Sequence, residues 1–166
     1  KRFYVTINNT PTWVENGDWV LDIPKMVAES AKETVDTENV YKYTYEERKE
    51  NSTAPKFDEG DAITLSSVTT KDLSISFPEA TAGAEGEDNM VGYYKVDIVN
   101  KATEETVVTA KYISDYFKQE NRRTSFTRTY TDLAYDTDYT VSVTPVNMWY
   151  VEGTPITLDF ATGGLP

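Results

Sequence analysis

The chain reads as an all-β protein, a seven-stranded two-layer sandwich preceded by a β-hairpin extension, and two observations lead there. From residue 61 onward, apolar residues recur at every second position in short runs bounded by turn residues, the period of a half-buried strand. No comparable stretch shows the three-to-four spacing of an amphipathic helix. At 166 residues the chain can bury a real core, and two full domains would be cramped. The boundary falls in NSTAPKFDEGD, residues 51 to 61, which has linker chemistry, dividing a β-rich extension over 1–55 from a sandwich over 56–166.

The elements follow in order. RFYVTI alternates Phe3, Val5 and Ile7, and TWVENGDWVLDI reads as a hairpin whose Asn16-Gly17 pair supplies the left-handed conformations of a tight turn. Residues 25 to 38 carry too sparse an apolar pattern to separate a short helix from a polar loop. YKYTYEE alternates Tyr41, Tyr43 and Tyr45 as a strand would. The extension therefore either lies against the sandwich or is the torn edge of a neighbouring unit, because a lone hairpin is marginal in water.

In the second part, Ala62–Ser67 and Leu73–Phe77 set Ile63 and Leu65, then Leu73, Ile75 and Phe77, on one face, with Ser74 and Ser76 on the wet face. Pro78 to Asn89, rich in Ala, Gly, Glu and Asp, reads as a long mobile loop. VGYYKVDIVN turns Tyr94, Val96 and Ile98 inward and pairs with TVVTAKYI across a polar turn. SDYFKQENR is an irregular crossing to SFTRTY. TDYTVSV then points Tyr139, Val141 and Val143 inward, and PITLDFA does the same with Ile156, Leu158 and Phe160. Proline cannot donate to a ladder, so the sixth strand should end or bulge at Pro145.

Composition removes whole classes of chemistry. The chain has no Cys, hence no disulfide, zinc-thiolate site or thiol nucleophile. It has no His, the commonest metal ligand and the usual general base near neutral pH, so a Ser-His-Asp hydrolase cannot be assembled. A net charge of −12 repels phosphate backbones and anionic lipid, which argues against nucleic acid or a membrane surface as partner. No apolar run approaches the ~20 residues of a spanning helix, so membrane insertion is not expected. The start at Lys1, without Met or a charged-then-apolar leader, suggests a processed or engineered terminus.

Three groups remain as candidates. GAEGEDN, 83 to 89, offers Glu85, Glu87 and Asp88 to a calcium ion, but lacks the alternating-Asp pattern of a dedicated loop and reads as solvated. Paired carboxylates of the kind used in glycoside hydrolysis arise by chance among 28 acidic residues, and no cleft is implied. Trp149 and Tyr150, in the turn NMWYVEG, are the best exposed aromatics for stacking on a sugar or anchoring a partner, with Trp13 and Trp19 behind them. Set against that, the three tryptophans serve equally to close the core or join the two halves. No catalytic, cofactor-binding or metal residues are assigned and no cofactor is expected.

The spacing Leu133, Thr137, Tyr139, then Val141, Val143, Asn147 and Gly153, resembles the end of fibronectin type III domains, which are immunoglobulin-like sandwiches. The resemblance implies that Leu133 plugs the base and that Tyr139 folds back to bond main chain in a tyrosine corner. Physically, a phenol entering a core needs a partner for its hydroxyl, and a nearby connecting loop offers free carbonyls. Upstream, Gly92-Tyr93-Tyr94-Lys95-Val96 matches the third-strand pattern, and Phe77 stands where the family usually has Trp. A narrower resemblance rests on YEER and APKF within YTYEERKENSTAPKF: this junction is similar to that of sandwich domains appended to secreted calcineurin-like metallophosphoesterases of Bacteroidetes. It implies a noncatalytic accessory domain, secreted, periplasmic or at the cell surface, whose partner is an upstream phosphoesterase domain. A carbohydrate-binding or adhesive module is the alternative. The motifs that bind metal in those enzymes are absent; Gly17-Asp18 and Gly60-Asp61 are isolated pairs.

Overall fold

The computed structural model describes residues 2–7, 10–15, 47–115, 118 and 120–165. Among them the regular elements are β1 (Arg2–Ile7), β2 (Thr10–Glu15), β3 (Thr64–Val68), β4 (Leu73–Pro78), β5 (Val91–Asn100), β6 (Thr106–Ile113), β7 (Ser125–Tyr130), β8 (Asp138–Asn147) and β9 (Ile156–Ala161), with a 3₁₀ turn at Glu87–Asn89. Residues 47–51 are helical. β1 and β2 form a two-stranded antiparallel ribbon. The other seven strands make two antiparallel sheets of order β3-β4-β7 and β6-β5-β8-β9. This is a fibronectin type III-like sandwich, all-β as the sequence predicts.

The core fills the space between the two sheets. Phe77 of β4, Tyr94 of β5 and Phe126 of β7 meet with ring centroids 5.0–5.3 Å apart. Around them lie Leu73, Ile75, Val96, Ile98, Val141 and Val143, all fully buried. These are the inward sets that strand alternation selects, and burial of each such side chain is worth about 1.5–3 kcal/mol. Leu133 closes one end of this cluster. Phe77, the Phe in place of Trp, is 1% exposed and fills the centre.

Four local expectations are corrected. Leu65 was expected inward beside Ile63, yet it is 43% exposed while Ile63 is buried. Leu65 does keep the inward side, since it stands opposite buried Ile75, but on this short edge strand no further strand covers it; the register shifts only after it, between Leu65 and Ser67. β8 neither ends nor bulges at Pro145 but runs on to Asn147. The N and O of a strand residue point to the same side, and the Pro145 carbonyl accepts from Gly153 N at 2.8 Å. The missing donor therefore faces away from β5, beyond the start of β9, where no ladder needs it. The irregularity sits instead on β5, between Val91 and Tyr93.

The acidic loop after β4, expected to be mobile, is tied down. Ala80 N donates to the Tyr94 phenol at 2.9 Å, Glu79 N to Thr124 O, and Gly83 N to Asn89 O. The residues after Asn51 are likewise more than a linker, because Lys56 and Thr81 exchange both backbone hydrogen bonds and Pro55 is buried. In the extension, RFYVTI is a strand as expected, and its partner is Thr10–Glu15. The Asn16-Gly17 turn, the segment 25–38 and the tyrosine run at 41, 43 and 45 lie outside the described residues, as do Trp19 and the side chain of Trp13.

Candidate functional site

The best-built polar constellation lies where the chain enters the sandwich, between the β4–β5 loop and the β8–β9 turn. It starts from Asn147 at the end of β8, which is buried with its side chain fully engaged. Its Oδ1 accepts the backbone N–H of Trp149 at 2.8 Å and of Val151 at 3.0 Å, folding NMWYV into a turn. The Asn147 amide nitrogen points the other way and donates to Ser52 Oγ at 2.9 Å. One side chain thus shapes the turn and holds the incoming chain.

Trp149 continues the pattern. Its indole N–H donates to Asp88 Oδ1 at 2.8 Å, and the Arg48 guanidinium sits 5.4 Å from the ring centroid while lying 3.6 Å from the same carboxylate. Across the socket, Asn89 Oδ1 accepts the N–H of Thr53 at 2.5 Å, and its amide nitrogen caps Glu85 O at 2.7 Å. Thr81 Oγ1 donates to Asp58 at 3.0 Å beyond the Lys56–Thr81 bridge. Phe57 then stacks on Tyr94 at 6.3 Å, leading the segment into the core.

Two glycines leave room for this passage. A Cβ on Gly83 would overlap the carbonyl oxygens of Ala54 and Thr53, and one on Gly153 would overlap that of Pro55. Both positions demand the absence of a side chain, because the backbone of residues 53–55 runs directly against them. Sequence reasoning missed Gly83, Asn89 and Ser52. The readable signal was glycine in both loops, Gly83 and Gly86 in the first and Gly153 in the second, a common mark of close backbone approach.

The predicted site residues fare unequally. Trp149, expected to be exposed, is 4% exposed: its N–H is satisfied by Asp88 and Arg48 lies over its ring, so it joins the entering chain to the sandwich. Tyr150, at 38%, stays at the surface in a left-handed conformation with φ 62°. Its ring centroid is 6.2 Å from that of Tyr93. Asp88 is spent on Trp149 and Arg48, and among the described residues no three acidic side chains converge with metal-binding geometry. Glu85 and Glu87 are exposed on the loop.

Leu133 and Tyr139 meet at the opposite end. The Tyr139 phenol is 2% exposed and accepts the N–H of Ala134 at 3.0 Å. The corner therefore bonds main chain, with the oxygen as acceptor of an amide and not as donor to a carbonyl. Its ring stacks on Phe160 at 5.4 Å. The fully buried Tyr94 phenol has its pKa pushed up to about 12 by desolvation, and burial likewise raises that of Tyr130, whose hydroxyl accepts from Tyr112 at 3.0 Å.

Among the described residues one ion-paired carboxylate is buried, that of Asp115, beneath an arginine that is 41% exposed. Asp115, on the crossing from β6 to β7, receives Arg123 Nε at 2.7 Å, Nη2 at 2.6 Å and the Arg123 backbone N–H at 2.9 Å. These bonds hold its carboxyl well below the usual carboxylate range. A bidentate pair of this kind fixes a loop. It keeps the Asp115 carboxylate charged at neutrality.

No family model matches the chain, and no curated relative matches it. Among solved structures it is similar to a computationally redesigned β-sandwich protein at 19% identity and TM-score 0.46, covering 68% of this chain and 97% of that one. It is also similar to FN3tt, at 15% identity and TM-score 0.41, covering 66% and 95%. A myokine structure gives 16%, TM-score 0.44, and 68% and 99%. The fold itself is set by the strand order and register above.

Proposed function

We propose that this chain is a noncatalytic accessory module that holds the part of the protein before it in a fixed orientation. The carrying observation is the socket: residues 48–57 are gripped by Trp149 and Asp88, by Asn147, by Asn89, and by the Lys56–Thr81 bridge, with Gly83 and Gly153 leaving space for their backbone. A flexible spacer needs none of this, since a Gly/Ser-type linker works by remaining unbound. The domain setting follows the YEER and APKF resemblance: the C-terminal part of a secreted calcineurin-like metallophosphoesterase, acting outside the cytoplasm. The chain itself contributes no His or Cys to such chemistry.

The burial of Trp149 and the Arg48 guanidinium over its ring weigh against a sugar-binding reading at that residue, while Tyr150 stays at the surface. The test replaces Gly153 and Gly83 by Val in this chain and follows proteolysis between residues 48 and 58. The expected result is at least tenfold faster cleavage there with the sandwich still folded. Unchanged protection in both variants would overturn the reading. In a longer protein with an upstream phosphoesterase domain, the same changes should lower that domain's thermal midpoint, while this chain alone turns over no phosphate ester.

A further inference from the structure

We propose that β3 is a self-pairing edge, through which two copies of this chain join their three-stranded sheets into one six-stranded sheet of order β7-β4-β3-β3′-β4′-β7′. Among the described residues β3 has a ladder on one side only, to β4, and all five of its residues are exposed. An edge strand offers a row of unpaired N–H and C=O groups, which proteins defend with charge, proline, short strands or bulges; β3 is short and bulged but has neither charge nor proline. Every other edge strand described here carries a charge: Arg2 in β1, Glu15 in β2, Lys111 in β6, Arg128 in β7 and Asp159 in β9. β3 carries none, and from Ala62 to Thr70 the sequence AITLSSVTT has neither a charged residue nor a proline.

The occupant is argued from charge. On a chain of net −12, a second copy is repelled from most of the surface, so the uncharged strand is where two copies approach at least cost. The flanking charges are opposite in sign, Asp61 before the run and Lys71 after it. In an antiparallel pair related by a two-fold axis, each end meets the other end of its copy, so Asp61 faces the partner's Lys71 and the reverse. Ser66 lies midway between them and falls at the axis. The outer face beside the edge is likewise uncharged: Ser66, Ser76 and Thr127 form a hydroxyl chain at 3.4 and 3.0 Å, and Ser74 bonds Thr129 at 2.7 Å. The bulge after Leu65 shortens the pairing surface, which suits reversible association.

This inference is independent of the accessory role. Sedimentation of the chain over micromolar to millimolar concentration should show a monomer–dimer equilibrium. Lys71→Glu, which sets acid against acid at both ends, should weaken association at least tenfold, and Asp61→Lys with Lys71→Glu should restore it. Because the chain has no Cys, Ser66→Cys introduces a unique thiol that should oxidise to a covalent dimer at least tenfold faster than Val107→Cys on the β6 edge. A monomer at every concentration, a dimer indifferent to the Lys71 reversal, or equal oxidation of both cysteine variants would each overturn the proposal.

Discussion

At the scale of single residues, the protein's phenols divide the labour of closing the core. Tyr139 and Tyr94 each bury a hydroxyl and use its oxygen to accept a loop amide, Ala134 N in one case and Ala80 N in the other. Tyr139→Phe should cost about 1 kcal/mol, the net worth of one such bond, read as a lowered urea midpoint at unchanged slope. Tyr94 adds a pH dependence with a defined sign. Its pKa, raised from 10.0 to about 12 in the folded state, means that the unfolded chain loses its proton first. Stability is thus fully present below pH 10 and falls by about 2 kcal/mol per site as pH climbs to 12. Tyr94→Phe should flatten that fall in alkaline denaturation curves.

Asp115 shows the opposite sign, because its folded-state pKa lies below that of the unfolded chain. Its contribution is present above the ordinary carboxylate range and drains away as pH drops below about 4. Arg123→Ala should therefore cost about 2 kcal/mol at neutral pH, less than for a wholly buried pair because the arginine is 41% exposed. It should also shrink the difference in thermal midpoint between pH 6 and pH 3. The tyrosine corner was legible in the sequence because Leu133 and Tyr139 carry both spacing and residue type. The Asp115–Arg123 pair was not: it joins two positions of an aperiodic segment, where nothing in the pattern shows which charges meet.

At the scale of elements, legibility tracked unbroken strand patterning bounded by turns. β5, β6 and β7 match the predicted runs residue for residue, and the alternation of β5 and β8 names their inward sets correctly. Prediction weakened at β3, an edge strand whose inward Leu65 is left uncovered, and at Pro145, where the outcome depended on β9 having not yet begun. Both turn on tertiary neighbours that no local pattern encodes. The socket was missed for a related reason: Ser52 and Asn147 are far apart in sequence, and the family spacing that includes Asn147 does not extend to Ser52. Asn147→Ala should cost about 2 kcal/mol, since it leaves two turn amides and Ser52 without their partner; thermal unfolding beside a Ser52→Ala control would separate turn from tether.

At the scale of the whole molecule, a sandwich with residues 48–57 sewn into two loops behaves as one body with that entry segment. Amide exchange measures this directly: Lys56 and Thr81 should be protected as strongly as the strand ladders, and Gly153→Val should release both together. The proposed function class rests on subtraction, from absent His and Cys, and on the socket. The mechanism of attachment was not readable, because it resides in backbone proximity at two glycines.

The socket also imposes an order in time. Its two walls come from loops that close early and late in the sandwich, and the late wall, around Asn147 and Gly153, is finished only when β9 returns onto β8. During synthesis the entry segment leaves the ribosome first yet is fastened last, once the final hairpin has zipped. Until then residues 48–57 are held on one side only. A chain truncated before β9 would forfeit that closing step, even if every earlier strand had found its place.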